Sequence, residues 1–164
     1  MLKVVFVITI LLSLRAVAAA ADAVITVNGK VVALPCTVDT TQLTFDLGKI
    51  YASTLSKAGS YGEWVNATIK LSACPAVTSS ITATFSGQSG TLYFRNTGTA
   101  RNVELQLQTA TAEPVNLNNN SRQTIAVTPA RTAELPLRVR VYSQYGKVTE
   151  GTLQGLINVT YTYQ

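Results

Sequence analysis

Apolar residues recur at every second position over most of this chain, and this period is the feature that most constrains its fold. The clearest case is Leu135, Leu137, Val139 and Val141, which alternate with charged or polar residues. Successive side chains of a strand point to opposite faces, so this period buries one face of a sheet and is incompatible with a helix. The chain is therefore predicted to be all-β.

Short alternating runs separated by Gly, Asn, Ser or Pro predict eight strands after Cys36. They lie near 38–47, 64–73, 80–86, 91–94, 101–109, 122–128, 134–144 and 152–163. The segments 87–90 and 116–121 are predicted to be turns, and 52–62 a loop with one helical turn. Eight short strands in one domain indicate a sandwich of two sheets.

The first twenty residues have the pattern of a secretory signal peptide. Lys3 precedes an apolar run, Val4 to Leu14, and small residues follow at Ala16 to Ala21. The run is too short to span a membrane as a helix. Cleavage is expected before Ala21, within one residue either side, which defines 1–20 as the signal.

Two cysteines, Cys36 and Cys74, follow the signal. An exported chain meets an oxidising compartment, so a single disulfide is expected. A redox pair or a metal site is disfavoured because there is no C-x-x-C spacing and no histidine in the chain. The bridge is predicted to be structural.

Composition argues against catalysis, metal binding and nucleic-acid binding. The chain lacks histidine, the commonest general base and metal ligand, and its eight acidic residues form no evident pair. Removing Lys3 and Arg15 with the signal leaves eleven basic residues against eight acidic ones, a net charge of +3. These basic residues are scattered singly, as on a solvated strand face. We expect no enzyme activity, no cofactor, no small-molecule substrate and no nucleic-acid partner.

The segment 21–35 lies between the signal and the first cysteine and contains a strand without an obvious partner. One row at period two is small or apolar, and Thr26, Asn28 and Lys30 alternate with it. The row comprises Ala23, Ile25, Val27, Gly29, Val31 and Ala33. It is expected to pair with the sheet of another molecule. The alternative is a hairpin turning at Asn28-Gly29, which would be marginal in water as a two-stranded ribbon.

Three parts of the chain together resemble the pilins of chaperone-usher fimbriae, over the whole length after the signal. They are the string V-N-G-K-V-V-A-L-P-C-T-V at 27–38, Cys74-Pro75, and the ending G-L-I-N-V-T-Y-T-Y-Q. Tyr163 is penultimate and Gly151 is fourteenth from the end, as in the last strand of a pilin. The chain is most similar to the minor adaptor subunit of the type 1 fimbrial tip, which sits next to the mannose-binding adhesin.

The resemblance implies an incomplete immunoglobulin-like sandwich that lacks its last strand and is completed by a donor strand from another subunit. The segment 21–35 would be the donor extension and 36–164 the pilin domain. The acceptor groove would include Gly151, Ile157, Val159, Tyr161 and Tyr163. Gly29 would fit a shallow pocket of the neighbour, with Ile25, Val27 and Val31 in deeper ones.

The resemblance also implies partners and a location. The partners would be a fimbrial adhesin, neighbouring pilins, a periplasmic chaperone and an outer-membrane usher. The location would be a fimbrium on the bacterial surface, reached through the periplasm. One alternative is a major rod pilin. The others are a sugar-binding adhesin and a chaperone, each of which would need two domains. The expected function is a polymerising tip adaptor.

Overall fold

The computed structural model describes residues 26–32 and 34–164. The predicted signal peptide and the predicted donor residues Ala23, Ile25 and Ala33 lie outside this part of the chain. The chain divides into two units, Met1–Val31 and Val32–Gln164, and each is described by itself. No helix of the described residues is long and apolar enough to cross a membrane.

The described part of the second unit is all-β, apart from one turn of 3-10 helix at Ala52–Leu55. Its ten strands are β1 (Thr37–Val38), β2 (Ser60–Tyr61), β3 (Val65–Ser72), β4 (Ser80–Gly87), β5 (Phe94–Arg95), β6 (Glu104–Thr109), β7 (Asn116–Leu117), β8 (Arg122–Ala126), β9 (Ala133–Ser143) and β10 (Ile157–Tyr163). The prediction of an all-β fold is confirmed.

The strands form two antiparallel sheets. The larger has the order β1-β3-β9-β6-β5, with β2 also paired to β9 and β7 to β6. The smaller has the order β10-β4-β8. The long strand β9 is central to the larger sheet, where it pairs with β3 from Val65↔Val139 to Leu71↔Ala133 and with β6 from Glu104↔Tyr142 to Thr109↔Leu137.

The alternating rows identified in the sequence form the core. Most members of these rows are buried: Ile69, Leu71, Ile81, Ala83, Phe85, Val103, Leu105, Leu107, Leu135, Leu137, Val139 and Val141. Cys36 and Cys74 are buried with them and joined as a disulfide, as predicted. Because successive side chains point to opposite faces, most polar residues between them are at least partly exposed, whereas Gln106 on β6 is buried.

The predicted strand 38–47 is wrong beyond its first residue. Only Thr37–Val38 pairs, with Ser72 and Leu71 of β3. Residues 40–50 carry no strand assignment, although Leu43, Phe45 and Leu47 are half-buried and alternate with exposed residues. Alternation reports which side chains are buried, whereas a strand also needs a hydrogen-bonded neighbour, and none of the described segments provides one here.

Two of the other boundaries differ because other groups take the backbone hydrogen bonds. The amides of Thr91, Leu92 and Tyr93 donate to the Glu104 carboxylate, so β5 begins only at Phe94. Before β10, Thr152 and Gln154 bond instead to the loop 97–100, so that strand begins at Ile157. In the predicted turn 116–121, the first two residues form β7.

Candidate functional site

Strand β10 is the edge of the smaller sheet. It pairs with β4 over its whole length, from Ile157↔Gly87 to Tyr163↔Ile81. Its other edge has no strand partner among the described residues. An unpaired edge presents a row of free N–H and C=O groups and is a template for an added strand.

The apolar row of β10 is only half-buried. On the neighbouring central strand β4, Ile81, Ala83 and Phe85 are 0% exposed. The corresponding residues of β10 pack on the same core but remain partly exposed: Ile157, Val159, Tyr161 and Tyr163. Four predicted groove residues therefore lie together on one apolar surface at the open edge of the sheet.

A second apolar segment, residues 43–50, also packs on this core, although it was not among the predicted site residues. Leu43, Phe45, Leu47 and Ile50 are half-buried, and the exposed residues between them are mostly polar. The only signal for it was the alternation that predicted a strand. Within the described residues, 41–50 thus has no strand neighbour, and β10 has one on one side only.

The end of the first stretch and the residues leading into β10 meet at a largely apolar pocket of about 320 Å³. Ile50 and Leu55 line one side of it, and Val148, Gly151 and Leu153 line the other. Gly151, the fifth predicted groove residue, therefore lies at this pocket rather than on β10 itself. A Cβ at Gly151 would collide with the backbone nitrogen of Ala100, so the close approach requires glycine.

The amide of Asn96 fixes the segment that leads into β10. Its nitrogen donates to the carbonyls of Ala100 and Thr152 at 2.8 and 3.2 Å. Its oxygen accepts from the amides of Gly98 and Gln154 at 3.2 and 2.8 Å. All four hydrogen-bonding positions of the side chain are therefore used, and its burial makes this network costly to break.

The two tyrosines of β10 have perturbed phenols. Burial raises the pKa of Tyr161 above its usual value, and the charge of Tyr163 adds to the effect. Burial also raises the pKa of Tyr163. Both effects favour the neutral phenol, as expected for side chains on an apolar surface.

Three predicted donor residues lie in the described part of the first unit. Val27 is 87% exposed and Val31 is fully exposed. A Cβ at Gly29 would have no atom within 4 Å. Residues 26–32, 34 and 35 carry no strand or turn assignment, so the hairpin at Asn28-Gly29 is not observed within them. The donor role remains a prediction.

Within the described residues, no group of three or more His, Cys, Asp or Glu side chains is arranged to hold a metal ion. The bonded Cys36 and Cys74 leave no free thiol among them. The chemistry that the arrangement offers is therefore backbone hydrogen bonding and apolar burial along an open sheet edge.

Solved structures with this arrangement define the class of fold. The P pilus rod subunit PapA matches with a TM-score of 0.65 at 20% sequence identity, covering 80% of this chain and all of that one. A chain from a chaperone-usher pilus also matches with a TM-score of 0.65 at 20% identity, covering 92% of this chain and all of that one. The fold is that of a pilin subunit, an immunoglobulin-like sandwich.

Sequence comparisons identify the family. The family model described as "Fimbrial protein" matches residues 25–164. Protein FimG of Escherichia coli K12 is 45% identical over 88% of this chain and 86% of its own length. The S-fimbrial adhesin protein SfaS of Escherichia coli O6:K15:H31 is 35% identical over 89% of this chain and 88% of its own. The chain belongs to the fimbrial protein family.

Membership of this family fixes the general role. The chain is a structural subunit of a cell-surface fimbrium and contacts other subunits of the pilus.

Proposed function

We propose that this chain is a tip adaptor that polymerises by donor-strand exchange. Its extension 21–35 completes the fold of the adhesin or the preceding subunit, and its own groove beside β10 accepts the extension of the next subunit. In strand addition of this kind, main-chain hydrogen bonds supply affinity and alternate side chains supply specificity.

The observation that carries the proposal is the open edge of β10. Its apolar row is half-buried, whereas the same row of β4 is fully buried. A contiguous apolar surface beside unpaired backbone groups is unstable in water and favours a covering strand. The segment 41–50, whose half-buried apolar residues pack on the same core and which has no strand neighbour among the described residues, supports a groove with two walls.

The donor assignment rests on the alternation of the extension and the exposure of its described residues. Val27 and Val31 are large apolar side chains that pack on nothing described, and Gly29 between them is the smallest residue possible. The same chain would carry donor and acceptor, which permits a linear polymer. In this proposal, residues 1–20 are removed, 21–35 are the donor and 36–164 form the pilin domain.

The position in the fibre is proposed from sequence similarity. Identity of 45% to FimG over most of both chains supports a position like that protein's in its fimbria. The alternative is a major rod pilin with the same mechanism, which the stoichiometry of purified fimbriae would reveal as the abundant species.

Export and assembly partners follow from the same mechanism. The groove would be filled first by a periplasmic chaperone and then, at an outer-membrane usher, by the neighbour's extension. The adhesin would be the acceptor of residues 23–33. We propose no catalytic role, which the absence of histidine from the sequence supports.

The test is to supply the missing strand. A neighbour's eleven-to-thirteen-residue extension is fused through a short linker after Gln164, and thermal unfolding is compared with the unfused chain. Filling the groove with four or five branched side chains contributes roughly 1.5–3 kcal/mol each before ordering costs. The melting midpoint is expected to rise by roughly 20 °C or more.

The control is the same fusion with the donor's alternate apolar residues changed to serine, which keeps length and linker but removes the buried side chains. It should give little stabilisation. The proposal would be wrong if the unfused chain already unfolded cooperatively and the intact donor did not raise its melting midpoint. That result would mean that the sandwich is complete.

A further inference from the structure

The outward face of the larger sheet carries a cluster of aromatic, arginine and amide side chains that the groove does not use. On β9, Arg138, Arg140 and Tyr142 point outward, opposite to the buried row. In the register of the sheet, Gln108 lies beside Arg138 and Gln106 beside Arg140. Tyr61 lies beside Tyr142 on the other edge of β9. We call this group the arginine face.

Both guanidinium groups are stacked on aromatic rings. Arg138 lies 4.4 Å from the ring centre of Trp64. Arg140 lies 4.2 Å from the same ring and 3.9 Å from that of Tyr61. Cation–π contacts of this length orient a planar guanidinium, and two rings contact that of Arg140.

Glutamine side chains hold the same guanidinium groups from the other edge. The oxygen of Gln108 accepts two hydrogen bonds from Arg138, at 2.8 and 3.1 Å. The oxygen of Gln106 accepts one from Arg140 at 2.7 Å. Gln106 is only 3% exposed, and its nitrogen donates to the Tyr93 hydroxyl and the Asn116 oxygen. The two positive charges are therefore fixed before any ligand arrives.

These charges have no negative partner within the described residues. The ion pair found there joins Lys70 and Glu134, and the nearby Glu104 carboxylate instead accepts hydrogen bonds from backbone amides. Burial lowers the pKa of the Arg140 guanidinium from its usual value; Tyr61 and Tyr93 oppose this shift, and the charge of Arg138 adds to it. A bound anion would relieve this repulsion, and a carboxylate matches the guanidinium geometry.

The size of the arginine face distinguishes between anionic ligands. It spans three strands, about 10 Å, and five residues of β9, about 17 Å, so its area is about 170 Å². A stable protein partner needs about 800 Å² on each side, so this face is too small to be a protein interface by itself. Exposed amides at its border, such as Asn66 and Asn116, offer hydrogen bonds that suit sugar hydroxyl groups.

We propose that the arginine face binds a carboxylated saccharide, with the carboxylate held by Arg138 and Arg140 and the sugar hydroxyls by the amides around them. Sialic acid and uronic acid residues share this chemistry. The proposal goes beyond the assembly function and does not depend on donor-strand exchange.

Trp64 provides a reporter located at the face, because it is the only tryptophan of the chain. The full chain is titrated with 3′-sialyllactose, with a hyaluronan tetrasaccharide and with neutral lactose, while tryptophan fluorescence is recorded. A saturable change with at least one of the acidic sugars and none with lactose is expected. The sugar that gives the change identifies the source of the carboxylate.

Paired substitutions separate this site from general charge. Arg138→Gln with Arg140→Gln is expected to weaken binding about tenfold or more, because the charge-assisted hydrogen bonds are lost. Arg122→Gln with Arg131→Gln removes the same charge from exposed positions elsewhere and should leave binding unchanged. Arg138→Lys with Arg140→Lys keeps the charge but loses the planar fork, so we expect about a threefold loss. Circular dichroism checks folding, and the lysine pair tests the proposal if the glutamine pair does not fold.

Three results would overturn the proposal. The first is no fluorescence change with either acidic sugar. The second is an equal loss of affinity in the Arg122 and Arg131 control, which would indicate attraction by net charge alone. The third is a response of Trp64 to polyglutamate but to neither sugar, which would indicate an acidic protein segment instead.

Discussion

At the scale of single residues, the amide of Asn96 holds the segment that leads into β10. It joins the loop 96–100 to Thr152 and Gln154, directly before β10. This role is not visible in the sequence, because an asparagine between strands usually indicates only a turn. Such a network depends on residues 56 to 58 positions apart, which local patterns do not reveal.

Replacing Asn96 tests how far this network supports the domain. Asn96→Leu has similar volume but leaves the amides of Gly98 and Gln154 and the carbonyl of Ala100 without this partner, while the Thr152 carbonyl keeps its bond from the Ala100 amide. We therefore expect the free energy of unfolding to fall by about 2–4 kcal/mol. Urea denaturation followed by Trp64 fluorescence measures the change. Asn119→Ala, which removes a single exposed hydrogen bond to Gly87, should cost less than about 1 kcal/mol. Similar losses in both variants would contradict a special role for Asn96.

At the scale of elements, alternation in the sequence located the long strands but not their ends. The predicted strands 64–73, 80–86 and 134–144 are close to β3, β4 and β9, because these are central or fully paired. The segment 38–47 has the same alternation, but beyond Val38 it has no strand neighbour within the described residues. Periodicity thus correctly placed the half-buried residues of β10 on one face, and could not predict which edge of the sheet is left without a strand partner.

The phenol of Tyr161 gives the element β10 a measurable response to alkali. Its pKa is raised in the folded state, so the neutral form is favoured there. The stabilisation is fully present below the unfolded pKa of about 10 and is lost as the pH rises through the higher folded value. Tyr161→Phe should therefore reduce the loss of the free energy of unfolding between about pH 10 and pH 12.

The matched control for this measurement is Tyr145→Phe, which alters an exposed phenol in the loop after β9. Denaturant titrations of the parent chain and both variants across this range should show a shallower slope for Tyr161→Phe only. Parallel curves for all three proteins would mean that the Tyr161 phenol is fully solvated.

At the scale of the whole molecule, fold and family could be predicted, whereas the contacts between subunits could not. The disulfide, the all-β sandwich and the resemblance to pilins followed from short patterns and were confirmed. The arginine face could not be predicted, because its aromatic and amide residues come from strands far apart in the sequence. The register of the donor extension likewise involves a second molecule.

The donor role is tested by overpacking at Gly29. If this residue enters a shallow pocket of the next subunit, Gly29→Leu should cost roughly 1–3 kcal/mol in the complex, because the added side chain has no room there. The substitution should leave folding of this chain and acceptance of a neighbour's strand unchanged. Strand exchange against a chaperone-bound adhesin measures the effect.

Asn28→Ser, on the opposite face of the extension, is the control and should exchange normally. Normal exchange by Gly29→Leu would mean that the register is shifted or that the stretch is not the donor.

The disulfide has a mechanical consequence. Cys36 directly precedes the two-residue strand β1, and its bond to Cys74 reaches the chain just beyond β3, which pairs with β9 over seven residue pairs. A pull on the residues before Cys36 is therefore transmitted covalently to β3 without first unzipping β1. Tensile load along a fibre would therefore enter the domain at its best-paired strands. Shear flow would have to break the disulfide or separate β3 from β9 before this end of the subunit could unfold.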